Sequence, residues 1–237
     1  MYKGLSIAVI LPALNEAGKI GPSVRRQPQD IVDRVIVIDD GSNDSTADEA
    51  RAAGAEVISH DRNRGVGAAI RTGIERAAAM GFELCAIMAG DDQDDPEELP
   101  RLAEAITGDG FDFVQGSRYL PGGRRVNQPL SRTAMTWGYS VAYSLFVGRR
   151  VTDATNGYKL FRTSLATGLN LDQEWLNRYE LEPYLLWQAV RAAKWTEVPV
   201  TKTYPAVRAK GYTKMKFWRD WWGISRPMLL LGLRIKH

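Results

Sequence analysis

Short apolar runs alternate with longer stretches of helical character through the first 117 residues. Residues 5–11, 34–38, 56–59, 84–88 and 111–115 read as strands. Residues 17–26, 44–53, 66–80 and 96–106 read as the helices between them. Strands separated by helices join through crossovers, so the sheet is expected to be mostly parallel and covered on both faces. The near-continuous apolar character of the runs agrees with burial on both sides. Open α/β sheets of this kind bind ligands beyond the carboxyl ends of their strands. The residues that follow each run are therefore the ones to read for chemistry.

The richest of these follows residues 84–88. After Ala89 and Gly90 come four carboxylates, Asp91, Asp92, Asp94 and Asp95, around Gln93. Like charges so close cost free energy unless a cation sits among them. A hard divalent ion takes oxygen ligands, and when few of them are protein groups it shares coordination with substrate phosphates. Asp95, ahead of Pro96, Glu97 and Glu98, has the pattern of a helix start. Asp91 and Gln93, nearest the strand end and of like parity, are the better metal ligands. Asp92 and Asp94 stay open.

Two other strand ends are polar. The first strand leads into Pro12, Leu14, Asn15 and Glu16. Pro12 withholds a donor and turns the chain, and Asn15 reads either as a ligand contact or as a helix cap. The second leads into Asp39, Asp40 and Gly41, and then into Thr46 and Glu49, which match a capping box. Capping does not explain two adjacent carboxylates, which suit a nucleobase N–H or a ribose hydroxyl. Gly65 and Gly67 open the next helix and would let backbone approach a ligand near an anion-favouring N-terminus. Their spacing is not the dinucleotide fingerprint.

Beyond residue 117 the pattern changes. Residues 118–132, rich in Gly, Pro and Arg, read as a loop. Residues 133–147 and 178–193 read as helices, and 158–162 and 196–201 as strands. Arg118, Arg132, Arg208 and Lys214 stand in basic segments that either clamp phosphates or form solvated surface. Asp153 precedes a turn. The tail, 214–237, mixes cations and tryptophans with apolar residues, a pattern of membrane interfaces. Arg226 and Pro227 interrupt it, so it is expected to lie on a membrane and not cross it. The rival reading is a core-packing helix or a homo-oligomer contact. Residues 133–147 are a second candidate interface helix.

Bulk properties exclude other classes. A net charge of +3 is too small to argue for nucleic acid. The apolar stretch 5–11, followed at once by Pro12, Asn15 and Glu16, is not expected to act as a signal peptide, and no apolar run reaches membrane-spanning length. The one cysteine, Cys85, falls inside an apolar run, as a small core residue would, and a chain without an internal disulfide suits a reducing compartment.

Taken in order, the segments resemble the inverting glycosyltransferase family 2 with the GT-A fold, and within it the polyprenyl-phosphate sugar synthases of the dolichyl-phosphate mannose synthase type. The segments are Pro12 to Glu16, Asp39 to Ser42, Asn63 to Gly67, Gly90 to Pro96, Gly116 to Arg118, Asp153 to Gly157, Glu197 to Val200 and Arg208 to Lys214. The resemblance implies a single Rossmann-like α/β domain over residues 1–213. Its donor-binding half would be 1–117 and its acceptor side 118–213, with the amphipathic tail after them. It implies that Pro12, Glu16, Asp39 and Asp40 hold the nucleoside of a UDP- or GDP-sugar, with Leu14 and Gly67 completing the donor set. It implies that Asp91 and Gln93 hold Mg²⁺ or Mn²⁺ on the diphosphate. Arg118, Arg132, Arg208 and Lys214 would meet phosphates of donor and acceptor. In one respect the chain departs from the pattern. The family's Asp-x-Asp falls on Ala89, Gly90 and Asp91, so its first carboxylate is absent.

The expected reaction is metal-dependent sugar transfer to a polyprenyl phosphate, peripheral to the cytoplasmic face of a membrane. Asp91, Asp153 and Arg118 are its expected catalytic groups. A phosphate acceptor is already a nucleophile and needs little base catalysis; a hydroxyl acceptor would need a base, with Asp153, Glu180 and Glu182 as candidates. Transfer to a hydroxyl of a glycan or small molecule is the alternative within the enzyme class. Outside that class, Ala89 motivates a non-catalytic nucleotide-binding or scaffold protein.

Overall fold

A computed structural model describes residues 1–205 and 217–235. The elements run β1 (Ile7–Ala13), α1 (Ile20–Arg25), β2 (Arg34–Asp39), α2 (Thr46–Ala52), β3 (Glu56–Ser59), α3 (Val66–Ala79) and β4 (Leu84–Ile87). They continue through α4 (Leu99–Thr107), β5 (Phe113–Ser117), β6 (Arg124–Val126), α5 (Leu130–Val147), β7 (Lys159–Arg162) and α6 (Thr163–Thr167). Last come α7 (Leu181–Ala192), β8 (Trp195–Pro199), β9 (Thr201–Thr203) and α8 (Phe217–Gly232).

The central sheet has the order β3-β2-β1-β4-β7-β5-β8. Its pairs are parallel except where β7 enters antiparallel between β4 and β5. Successive side chains of a strand face opposite ways. Ile7, Val9 and Leu11 of β1 therefore join one apolar layer with Leu99 and Leu102 of α4. Ala8 and Ile10 join the other, with Ile70 and Ile74 of α3 and Leu185 of α7. On that side α3 lies against β1, and a Cβ on Gly73 would stand 2.3 Å from Ile10 Cγ2. Cys85 is a core residue, 3.2 Å from Thr163 Oγ1, and burial pushes its thiol up to about 11.

Three local expectations change. The segment expected to be a loop, 118–132, contains β6 and the start of α5. The strand expected at 196–201 divides, because β8 pairs with β5 in the main sheet whereas β9 pairs with β6 in a small second sheet. Thr46 and Glu49 form no capping box: Ser45 is the N-cap of α2, and Glu49 instead accepts from the Ser45 hydroxyl and from the backbone N–H of Gly18.

The tail from residue 217 packs on the domain. Met228 and Leu231 of α8 are buried in the same layer as Tyr139 of α5, and Tyr139 donates to the carbonyl of Ile224 at 2.7 Å. Trp222, Leu233 and Ile235 remain exposed. No helix among the described residues is long and apolar enough to cross a membrane.

Candidate active site

A cavity of about 400 Å³ opens beyond the carboxyl ends of β1, β2 and β4, where the parallel topology predicts a ligand. Pro12, Leu14 and Glu16 line it after β1, Asp40 after β2, and Ala89, Asp91 and Gln93 after β4. From the second half come Arg132, Asn156, Glu182 and Lys202. Arg208 and Lys214 lie outside the described residues.

The four carboxylates of the acidic run separate by partner. Asp95 accepts from the backbone N–H of Glu97 and caps a short 3₁₀ turn, as its sequence context predicts. Asp92, at φ 61°, and Asp95 both bind the guanidinium of Arg26, at 2.8 and 3.0 Å. Asp94 is buried; one oxygen accepts from the N–H of Ala89 at 3.0 Å and the other from Lys202 Nζ at 2.7 Å. That leaves Asp91 and Gln93 facing the cavity. Burial raises the Asp91 carboxyl above its ordinary range; Lys202 opposes this, and Asp94 and Glu16 add to it.

That arrangement fits one hard cation. Asp91 and Gln93 offer a carboxylate and an amide oxygen in one wall, and a cation would relieve the cost of the partly buried Asp91 charge. Among the described residues no three His, Cys, Asp or Glu side chains group into a metal site, so most of the coordination would have to come from substrate oxygens.

At the end of β2, Asp39 accepts from the N–H of Ser42 at 3.0 Å and does not line the cavity. Asp40 does line it, and both its oxygens are engaged. It accepts from the N–H groups of Arg64 and Gly65 at 2.9 and 2.8 Å, and lies 2.7 Å from His60 Nδ1. The His60–Asp40 contact pins the 60–65 turn to the sheet, a role not visible in sequence. Asn15 does not cap α1: its side-chain oxygen accepts from the N–H of Asn43 at 2.8 Å, joining two strand-end loops. Glu16 is buried and salt-bridged to Lys19 at 2.9 Å.

Gly65 and Gly67 have a different neighbour from the one the sequence suggests. A Cβ on Gly67 would stand 2.0 Å from the Leu176 carbonyl oxygen, and one on Gly65 2.2 Å from that of Asn177. The N–H of Ala68 donates to the same Asn177 carbonyl at 3.0 Å. This close approach is to protein backbone, and Gly67 does not line the cavity.

Arg118 and Asp153 form a buried bidentate pair. Nε and Nη2 donate to the two carboxylate oxygens, each at 2.7 Å, and the Arg118 N–H donates at 3.0 Å. Arg118 also donates to Thr155 at 2.7 Å and to the Tyr204 hydroxyl. Burial works against the Arg118 charge, and Asp153 more than offsets it, so the guanidinium stays charged. Neither residue lines the cavity, but Thr155 and Asn156, held just after Asp153, do. Glu197 braces the other side, accepting from the N–H groups of Thr152 and Asp153. Of the remaining base candidates, Glu182 lines the cavity but is 2.8 Å from the buried Lys159 ammonium, and Glu180 is buried beside Arg226.

Residues 8–168 match the model of glycosyl transferase family 2. The chain belongs to that family. The undecaprenyl-phosphate mannosyltransferase of Micrococcus luteus is 31% identical over 204 residues, covering 83% of each chain. The polyprenol monophosphomannose synthase of Mycolicibacterium smegmatis is 31% identical over 218 residues, covering 87% of this chain and 80% of its own. Among solved structures, glucosyl-3-phosphoglycerate synthase from Mycobacterium tuberculosis, crystallised with Mn²⁺, UDP and glucosyl-3-phosphoglycerate, superposes with a TM-score of 0.72. That likeness covers 99% of this chain and 82% of that one at 21% identity, and carries the fold alone. The family 2 glycosyltransferase therefore has its cavity at the sheet edge where its own strand-end carboxylates converge.

Proposed function

We propose that this glycosyltransferase moves a sugar from a UDP- or GDP-linked donor to a polyprenyl phosphate, with a divalent cation on the donor diphosphate. The observation that carries the reading is the convergence of Glu16, Asp40, Asp91 and Gln93 on one cavity, whose lining also includes Arg132 and Lys202. Two relatives at 31% identity are named for sugar transfer to a polyprenyl phosphate or polyprenol monophosphate.

In this reading Pro12, Leu14, Glu16 and Asp40 form the nucleoside wall. Asp39, Arg118, Asp153 and Gly67 act from behind it, by holding the loops that line it. Asp91 and Gln93 would hold Mg²⁺ or Mn²⁺, which when bound lowers the charge cost of the leaving nucleoside diphosphate. Arg132, with Arg208 and Lys214 from outside the described residues, would bind acceptor phosphate. The acceptor phosphate carries about −1.5 to −2 charge and attacks the anomeric carbon directly. The chain's task is then alignment and charge stabilisation. Among the described residues the cavity's one second-half carboxylate, Glu182, is already salt-bridged to Lys159, which favours a phosphate over a hydroxyl acceptor.

A membrane-facing surface accompanies this. Trp137, Val141 and Leu145 recur every four residues on α5 and are 59%, 42% and 78% exposed, so they form one apolar stripe. Arg149 and Arg150 are exposed just past its end. Trp and cations beside apolar surface suit an anionic lipid interface. The tail would add Trp222, and membrane contact would be peripheral, on the cytoplasmic face.

The test is turnover of a nucleotide-sugar panel with polyprenyl phosphate and Mn²⁺. Asp91→Ala is expected to lower kcat at least about a hundredfold, a typical cost of losing an electrostatic stabiliser. Full activity in that variant would remove Asp91 from the site.

A further inference from the structure

Lys202 lies in none of the segments that carry the family resemblance, yet it stands in the wall that holds Asp91 and Gln93. It comes from β9, whose neighbours fix it on two sides. Thr203 donates its N–H to the Gln93 carbonyl at 2.9 Å, and Asp94 and Lys202 form a β-bridge. Lys202 Nζ donates to one oxygen of Asp94 at 2.7 Å, while the other oxygen accepts from the N–H of Ala89. The ammonium is thus held at a set place beside the acidic loop. Position 89 offers no carboxylate to compete for it. An ammonium has three donors, and Asp94 takes one.

We propose that Lys202 is a ligand of the donor diphosphate, a fixed protein cation that carries part of the charge otherwise left to a metal ion. Ala89 and Lys202 then belong together. The site has no carboxylate at position 89, and it has an ammonium in the cavity wall that would meet a diphosphate lying against Asp91 and Gln93. The chain should therefore hold a nucleoside diphosphate with measurable affinity when no divalent ion is present. This rests on the donor-binding reading of the cavity.

The experiment measures UDP and GDP binding by calorimetry, and uridine and guanosine binding by ligand-observed NMR. Both use wild type, Lys202→Met and Lys202→Arg, in EDTA and in Mn²⁺, with folding checked by thermal melts. Wild type is expected to bind one of the diphosphates in EDTA. Lys202→Met should weaken that binding about tenfold or more and leave the matching nucleoside unchanged; Lys202→Arg should retain most of it. Mn²⁺ should recover more affinity in Lys202→Met than it adds to wild type. If nucleoside and diphosphate affinity fall together, or neither falls, Lys202 serves only to pin Asp94 and the proposal is overturned. If wild type binds neither diphosphate in either condition, the donor-binding reading fails, and this one with it.

Discussion

Asp153→Asn separates a structural strut from a catalytic base. Asp153 has no solvent exposure, and Arg118 is 3% exposed. Its Oδ2 accepts from the N–H and Nε of Arg118, and its Oδ1 from Nη2 and from the Thr155 hydroxyl. Among the described residues, every group hydrogen-bonded to the carboxylate is a donor. An asparagine amide placed there in either orientation sets N–H against N–H and leaves the guanidinium charge uncompensated. Breaking one side of a buried pair costs about 3–5 kcal/mol. For a domain of this size that lowers Tm by about 6–20 °C. Differential scanning calorimetry measures it, with Asp48→Asn as the control. Asp48 pairs with Arg51 while 85% exposed, and its loss should cost under about 0.5 kcal/mol. A double-mutant cycle with Arg118→Met should return a coupling of about 1–3 kcal/mol. If Asp153→Asn melts within about 2 °C of wild type yet has lost turnover, the strut account is refuted and Asp153 acts in the chemistry.

Two further outcomes follow from geometry. Gly67→Ala drives a Cβ to within 2.0 Å of the Leu176 carbonyl oxygen and 2.6 Å of that of Arg178. Neither backbone atom can swing aside, so the expected cost is about 3 kcal/mol or more, read as a Tm drop of about 6 °C or more. Gly138→Ala, with nothing within 4 Å of its Cβ, should change stability by no more than about 1 kcal/mol; equal melts for the two variants would contradict the packing argument. Burial holds the Glu197 carboxyl above its ordinary value, against the amide donors of Thr152 and Asp153. The folded chain then binds this proton more tightly than the unfolded chain. The group's contribution favours folding at acid pH and is lost as pH rises from the ordinary value through the raised one. The stability difference between Glu197→Gln and wild type should move in favour of glutamine from about pH 4 to pH 7; a flat or reversed trend in thermal melts would contradict the sign.

Elements set by local pattern are legible in the sequence. The apolar runs at 34–38 and 56–59 became β2 and β3 within a residue, and Asp95 with Pro96 announced its own cap. The strand-end residues Glu16, Asp40 and Asp91 converge because the sheet is parallel, which the alternation already implied. Pairings between distant segments left no such mark. Lys202 and Asp94 are 108 positions apart, and nothing near Lys202 marks it as partly buried beside an acid. Gly67 resembles a phosphate-loop glycine in sequence, but it is constrained by the 176–178 backbone. The Arg-rich stretch after residue 117 read as a loop, because a three-residue strand has too few residues to show a period.

The central claim, sugar transfer to a lipid phosphate, is tested by incubating the protein with polyprenyl phosphate, Mn²⁺ and donors labelled in the sugar. Partition between butanol and water then locates the label. Label is expected in the organic phase with the donor of one base, released as free sugar by mild acid. Label that moves only into aqueous products, with the organic phase at background, would contradict it.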